Sequence, residues 1–369
     1  MEDCNKNCCI FNYGTHYRFP IYSEMGKRLN VDFYLGENLP SSIKKFDYSK
    51  LPGFIKGLKN CFLGHFYWQK GSVGLVFKPY EKYILTGEPY CLSSWLFLVL
   101  SKVLRKKTIA WTHGWYGRES KLRTILKRTY FSLFSELLIY SDYAIGLMEK
   151  EGFKREKMFC IANSLDYYNQ KNLRKLLEPT DIYVKHFHNN NPVVIYSGRV
   201  QKSKKIELII DAAQKLREEG KSINIVIIGN DVDGVNIEKY AEGKNMGLNI
   251  WMYGACYDEK ILAELFYNAS VCVSPGNVGL TAIHALSYGC PVVTHDDFAY
   301  QGPEFESIKP GVTGDFFKKD DLNDLSRKID FWISASNEKR DLTRINAFEE
   351  IDKKWNIEHQ IEVLQEVLK

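Results

Sequence analysis

The chain has 369 residues, 45% of them hydrophobic and 26% charged, and carries a net charge of +5 at pH 7. That length admits two domains with substantial cores, and that balance excludes a disordered or fibrous chain. The start, Met1-Glu2-Asp3-Cys4-Asn5-Lys6, is polar and lacks the apolar core of a signal peptide. Nine scattered cysteines fit no paired metal spacing; Cys4, Cys8 and Cys9 form the only cluster, with no His or second Cys pair to complete a zinc set. Reduced thiols in a cytoplasmic protein are the expectation.

In chain order, residues 8–12 and 31–35 read as strands with a helix at 22–29 between them. Further strands are expected at 74–77, 83–86, 108–112 and 158–162, and helices at 93–104 and 122–134. The most apolar helix candidate, 92–104, is too short to span a bilayer. The stretch 167–192 is polar, carries Pro179 and ends in His-Asn-Asn-Asn-Pro, which makes it the candidate linker. Beyond it, strands at 193–197, 223–229, 250–254, 271–274 and 292–295 alternate with helices at 206–219, 258–268 and 280–288, and a last helix spans 358–368. Such alternation predicts α/β architecture: two facing, doubly wound domains with parallel sheets, over 1–170 and 171–345. Helices over 346–369 are free to cross back to the first domain. Ligands of such sheets bind beyond the carboxyl ends of the strands.

The charge is uneven. Lys102, Arg105, Lys106, Lys107, Arg118, Lys121, Arg123, Lys127 and Arg128 face one acid, Glu119, which suits either an anionic partner or a solvated helix face. Two strand-end loops carry phosphate chemistry. In 197–205, Arg199 offers a rigid fork and Lys204 a mobile point charge. In 274–281, a Pro/Gly turn leads into a helix start at Gly279, Leu280 and Thr281 that is bare of acidic side chains, so its amides and dipole suit a phosphate. Asp231-Val232-Asp233 has a metal-binding form but lies in a Gly229/Gly234 turn, where a solvated turn is expected. No G-x-G-x-x-G follows a strand, which argues against a dinucleotide oxidoreductase.

Together these motifs resemble retaining glycosyltransferases of family 4. The likeness rests on Gly198-Arg199-Val200 with Lys204, on 208–213, on Ile228-Gly229, on Tyr253-Gly254, on Gly279-Leu280-Thr281-Ala282 leading into 285–293, and on Gly311-Val312-Thr313-Gly314. Upstream, Ala162-Asn163-Ser164-Leu165-Asp166 and Trp111-Thr112-His113-Gly114 resemble elements of the first domain. The resemblance covers most of the chain and is strongest over 192–318. It implies the GT-B fold of two Rossmann-like domains, the second holding a nucleotide-sugar donor and the first the acceptor. Donor contacts are then expected from Arg199, Lys204, Gly229, Tyr253, Gly279, Leu280, Thr281 and His284. Gly14, on the loop after the first strand, is expected to permit close approach of donor phosphate or acceptor. His16 and Arg18 beside it are candidate acceptor contacts. His113 and Glu304 are the candidate catalytic positions.

One departure matters. The family usually carries two glutamates eight residues apart, and those positions are Gly276 and His284 here. The second normally holds the ribose hydroxyls and the first contacts the donor sugar. His284 retains a ring nitrogen for the ribose, and Glu304, which matches the family's g-x-p-E glutamate, is the candidate to assume part of the lost role. The implied activity is retaining transfer of a hexosyl or deoxyhexosyl group, without metal or cofactor, to a glycan or lipid-diphosphate-linked glycan in surface (capsular or O-antigen-like) polysaccharide synthesis. The implied location is cytoplasmic and peripheral on the inner face of the plasma membrane, where the basic helices would meet anionic lipid; no nucleic-acid partner is expected. The alternatives are a non-catalytic sugar-nucleotide-binding partner subunit, which the absent glutamates favour, and a sugar-nucleotide epimerase on the same frame.

Overall fold

The computed structural model describes residues 7–40 and 43–369; the polar start and Cys4 lie outside them. The chain divides into two compact units, one of Met1–Asp166 with Asn356–Lys369 and the other of Tyr167–Trp355.

In the first unit, β1 (Asn7–Phe11), α1 (Phe19–Arg28), β2 (Val31–Gly36) and β3 (Phe54–Leu58) begin a parallel sheet. β4 (Asn60–Leu63) and β5 (Phe66–Gln69) form a separate antiparallel hairpin, which the sequence reading did not anticipate. β6 (Lys82–Thr86), α2 (Leu92–Val103), β7 (Lys107–Thr112), α3 (Lys121–Ser132), β8 (Glu136–Ile139), α4 (Asp142–Lys150) and β9 (Met158–Cys160) complete the unit's first pass. The strand order β3-β2-β1-β6-β7-β8-β9 reverses direction between β1 and β6. Its central strands β1, β6 and β7 are buried over most of their length because both faces are covered, whereas the edge strand β3 exposes Ile55 and Lys56, and the core includes Tyr34, Tyr83, Phe97 and Tyr130. Residues 74–77 are not the expected strand. They lie in a 3-10 turn, Val73–Phe77, whose Leu75 carbonyl accepts the Tyr83 hydroxyl at 2.8 Å. Burial of Leu75 and Val76 accounts for the apolar run without a ladder.

The second unit opens with α5 (Tyr167–Arg174) and α6 (Ile182–Phe187), within the stretch expected to be a linker. Its polar residues make specific anchors instead. Tyr183 donates its hydroxyl to the Leu265 carbonyl at 2.5 Å, and Arg174 Nε donates to the Ser287 carbonyl at 3.0 Å. Then follow β10 (Val193–Ser197), α7 (Glu207–Glu218), β11 (Asn224–Ile228), α8 (Ile237–Gly243), β12 (Ile250–Gly254), α9 (Glu259–Asn268), β13 (Val271–Ser274), α10 (Thr281–Ser287), β14 (Val292–His295), β15 (Gly314–Phe317), α11 (Leu322–Ile333) and α12 (Asn337–Lys353). The parallel order β12-β11-β10-β13-β14-β15 reverses between β10 and β13. Residues 346–353 finish α12 in this unit. Only α13 (Ile357–Val367) belongs to the first unit, where Ile357, Ile361, Leu364 and Val367 are buried.

Candidate functional site

In the second unit the sheet's reversal point brings two loops together at the carboxyl ends of β10 and β13, the place where open α/β sheets hold ligands. Gly229 and Gly198 allow the strand ends to close. A Cβ on Gly229, at φ +150°, would lie 1.8 Å from the Gly198 carbonyl oxygen. Arg199 is exposed on this loop. Lys204 is half-buried and donates to the Asn277 carbonyl at 2.7 Å and to its side-chain oxygen at 2.8 Å. Burial first, and then the Arg199 cation, pull its pKa down to about 8, against the opposing pull of Glu304. Thr281 ties α10 to β10 by donating its hydroxyl to the Ser197 carbonyl at 2.9 Å. The Gly279, Leu280 and Thr281 amides find no acceptor among the described residues, whereas the Val278 amide is taken by Gln301 Oε1 at 2.9 Å. Tyr253 stands one residue before the end of β12, with its ring centroid 5.0 Å from that of Trp251. Asp231 commits its carboxylate to amides of its own turn, those of Asp233 at 3.1 Å and Asn236 at 2.8 Å.

In the first unit Gly14 is buried rather than open. Its missing Cβ makes room for Tyr48 and Phe46, which would be 2.5 and 2.8 Å away, and its amide already donates to the Tyr48 hydroxyl at 2.8 Å. Packing against these two rings is by itself enough to require glycine at this position. His16 is exposed. Arg18, the other candidate acceptor contact, is buried. It is 8% exposed, donates to the Tyr140 hydroxyl at 2.5 Å, and has its guanidinium 4.9 Å from that ring and 5.7 Å from Trp111. His113 follows β7, with its ring 4.7 Å from that of Tyr140. Its imidazole is held below the usual histidine value by local desolvation, then by the Arg18 and Lys127 cations. Because the residue is largely solvent-exposed, the cations are the part of that effect its position supports. Glu119, the single acid of the basic stretch, organises the loop after His113. Its carboxylate accepts the Tyr116, Gly117 and Arg118 amides at 3.0–3.1 Å and Lys127 Nζ at 2.7 Å.

Residues 178–349 match the sequence model of the family described as Glycosyl transferases group 1. The matched stretch lies within the second unit. The poly(ribitol-phosphate) alpha-N-acetylglucosaminyltransferase of Staphylococcus aureus strain COL is 25% identical over 178 residues, 48% of this chain and 32% of that protein. The match thus spans about a third of that curated relative's length. HepE of Anabaena, crystallised with UDP, superposes over 98% of this chain and 99% of its own at a TM-score of 0.74 and 15% identity. The lipopolysaccharide outer core galactosyltransferase WaaB in its apo form does so over 98% and 99% at a TM-score of 0.69 and 14% identity. At such identities the likeness is one of fold, and that fold is GT-B.

Within the second unit the two departures from the family pattern have different physical settings. At Gly276 a Cβ would lie 2.4 Å from the Ser203 carbonyl oxygen and 2.7 Å from Lys204 Cα, so backbone excludes any side chain. At position 284 the His284 ring keeps its place on α10, but its Nε2 is 3.0 Å from Glu259 Oε1. Glu304 is buried, and its Oε2 would lie 2.6 Å from a Cβ on Gly302, whose own neighbour is the Gly279 Cα at 2.9 Å. The carboxylate therefore sits beside the start of α10. The sequence reading named Arg199, Lys204, Thr281 and Glu304 and assigned no role to Asn277, Gln301 or Glu259, which the structure bonds to Lys204, to the Val278 amide and to His284. Asp258-Glu259 reads only as a helix start, and nothing local pairs it with a histidine 25 positions on.

Proposed function

We propose that the chain is a retaining glycosyltransferase that moves a hexosyl or deoxyhexosyl group from a nucleoside-diphosphate sugar to a glycan or lipid-diphosphate-linked glycan in surface polysaccharide synthesis. The observation that carries this reading is Arg199 and Lys204 standing with the unpaired 279–281 amides at the strand reversal of the unit that matches the group 1 model. HepE was crystallised with UDP, and the staphylococcal relative is named for N-acetylglucosaminyl transfer, which supports a uridine diphosphate donor.

In this reaction the bond from the anomeric carbon to the diphosphate oxygen breaks as the acceptor oxygen bonds on the same face. The acceptor proton passes to the departing phosphate. Negative charge grows on that phosphate, where a cationic Lys204, the Arg199 fork and three amides stabilise it more than they stabilise the ground state. That set supports transfer without a metal. Glu304, beside the helix start, is assigned to the donor sugar, and His113 to the sugar or diphosphate as a neutral ring.

The first unit supports a peripheral membrane position. Leu92, Leu96, Val99 and Val103 form one exposed stripe along α2, and Leu122 and Ile125 are exposed on α3. Exposed Lys102, Arg105, Lys121 and Arg123 lie on the same segments, the mixture that favours anionic lipid. No helix among the described residues is long and apolar enough to cross a membrane.

Thermal-shift measurement against UDP-, GDP- and dTDP-sugars tests the donor reading, followed by NMR of the anomeric product. Stabilisation by one nucleotide series and a product with the donor's anomeric configuration are expected. Binding with neither hydrolysis nor transfer would establish the non-catalytic alternative instead.

A further inference from the structure

Glu259 is the first residue of α9, just beyond the carboxyl end of β12, and it joins three helices of the second unit. Its Oε1 accepts Gln170 Nε2 from α5 at 2.9 Å, the Tyr288 hydroxyl at 2.6 Å, and contacts His284 Nε2 from α10 at 3.0 Å. Oε2 has no partner among the described residues, and the side chain is 26% exposed, so this second oxygen is open to a ligand. Burial opposes ionisation, yet the bonds from His284, Tyr288 and Gln170 hold the carboxyl down at about 2, so it is anionic at neutral pH.

An anion here cannot face a diphosphate. It suits the neutral, hydroxyl-bearing part of a nucleotide, as the acidic residue of dinucleotide-binding sheets suits the ribose. The spacing agrees. Thr281, bonded to the end of β10, lies one turn before His284 on the same face of α10. One turn advances about 5 Å. A nucleotide with its diphosphate at Lys204 and Arg199 that follows α10 therefore brings its sugar ring to His284 and Glu259.

We infer that Glu259 receives the ribose hydroxyls of the nucleotide through Oε2, with His284, Tyr288 and Gln170 holding Oε1 as positioning residues. The carboxylate absent from position 284 is supplied by α9, one side chain further out. This rests on the nucleotide-sugar reading above.

Isothermal titration of the full chain with UDP, GDP and ADP, each against its 2′-deoxy counterpart, tests it. The wild-type chain should prefer the ribose form of its nucleotide by about tenfold or more. Glu259→Gln should weaken the ribose form by about that factor and leave the deoxy form within about twofold, so the preference disappears. A melting curve of the variant without ligand reports its folding; if Glu259→Gln does not fold, Glu259→Asp, which keeps the charge but shortens the reach, takes its place with the same expectation. Equal loss for both forms, or no preference in the wild type, overturns the assignment of Glu259 alone. Failure of all three ribonucleotides to bind overturns the nucleotide-sugar reading, and this inference with it.

Discussion

Lys204 is a half-buried lysine whose charge is disfavoured by burial and by the Arg199 cation. With its pKa pulled to about 8, it binds fewer protons in the folded than in the unfolded chain between that value and its usual 10.5. The fold therefore gains stability as pH rises through that window, and below it the charged lysine is a cost. Lys204→Met should stabilise the ligand-free protein by about 1 kcal/mol after allowance for its partial exposure, read as a raised melting temperature. The same change should weaken nucleotide-diphosphate binding at least about tenfold, as seen by titration. In the wild type, affinity should fall above pH 8 as the lysine discharges. Gly276 makes the complementary case. Restoring the family's glutamate there drives a Cβ into the Ser203 and Lys204 backbone. Gly276→Glu should cost about 2–3 kcal/mol in denaturant titration and should not improve turnover.

At the scale of elements, α2 serves two environments. Ser93, Ser94, Phe97, Leu98 and Ser101 face the core, and the Leu92, Leu96, Val99 and Val103 stripe faces outward. Because that stripe is exposed, Leu96→Asp with Val99→Asp should change the melting temperature little. It should abolish co-sedimentation with anionic vesicles at low salt, and retained sedimentation would exclude the membrane role. Part of the basic stretch is already committed inside the first unit. Lys127 holds Glu119 and the Gly114 carbonyl at 2.6 Å, Lys106 caps the Tyr80 carbonyl at 2.6 Å, and Lys107 pairs with Glu136 at 2.8 Å. Only the remaining cations are available to lipid. Alternation of apolar runs and helices made most sheet strands legible, because parallel strands covered on both faces need continuous burial. The β4–β5 hairpin was not legible. Its Phe62, Leu63, Phe66 and Trp68 are exposed while Asn60 and Gln69 are buried beside Tyr67, so apolar residues do not mark its inner face.

For the whole molecule, the last helix belongs with the first unit rather than with the chain that precedes it. Arg28 pairs with Glu358 at 2.9 Å, Ser164 donates to Gln360 at 2.5 Å, and Gln360 donates to the Ala162 carbonyl at 3.2 Å. Four apolar side chains of α13 are at most 1% exposed, each worth about 1.5–3 kcal/mol of burial. Removing residues 356–369 should therefore loosen the first unit, seen as faster amide exchange in α1 and β2, while the second unit keeps its nucleotide affinity. The sequence by itself determined two doubly wound sheets, the reversal-point loops with Arg199, Lys204 and the 279–281 turn, and the loss of two family glutamates. Each is written in contiguous residues, as a burial period or a turn with fixed spacing. Only the tertiary structure decided that Arg18 is enclosed in aromatic rings, that Gly14 is a packing glycine, that backbone bars a side chain at Gly276, and that Glu259 meets His284. Those outcomes depend on atoms far apart in the chain whose distances are set when helices and strands pack, and no local pattern encodes them.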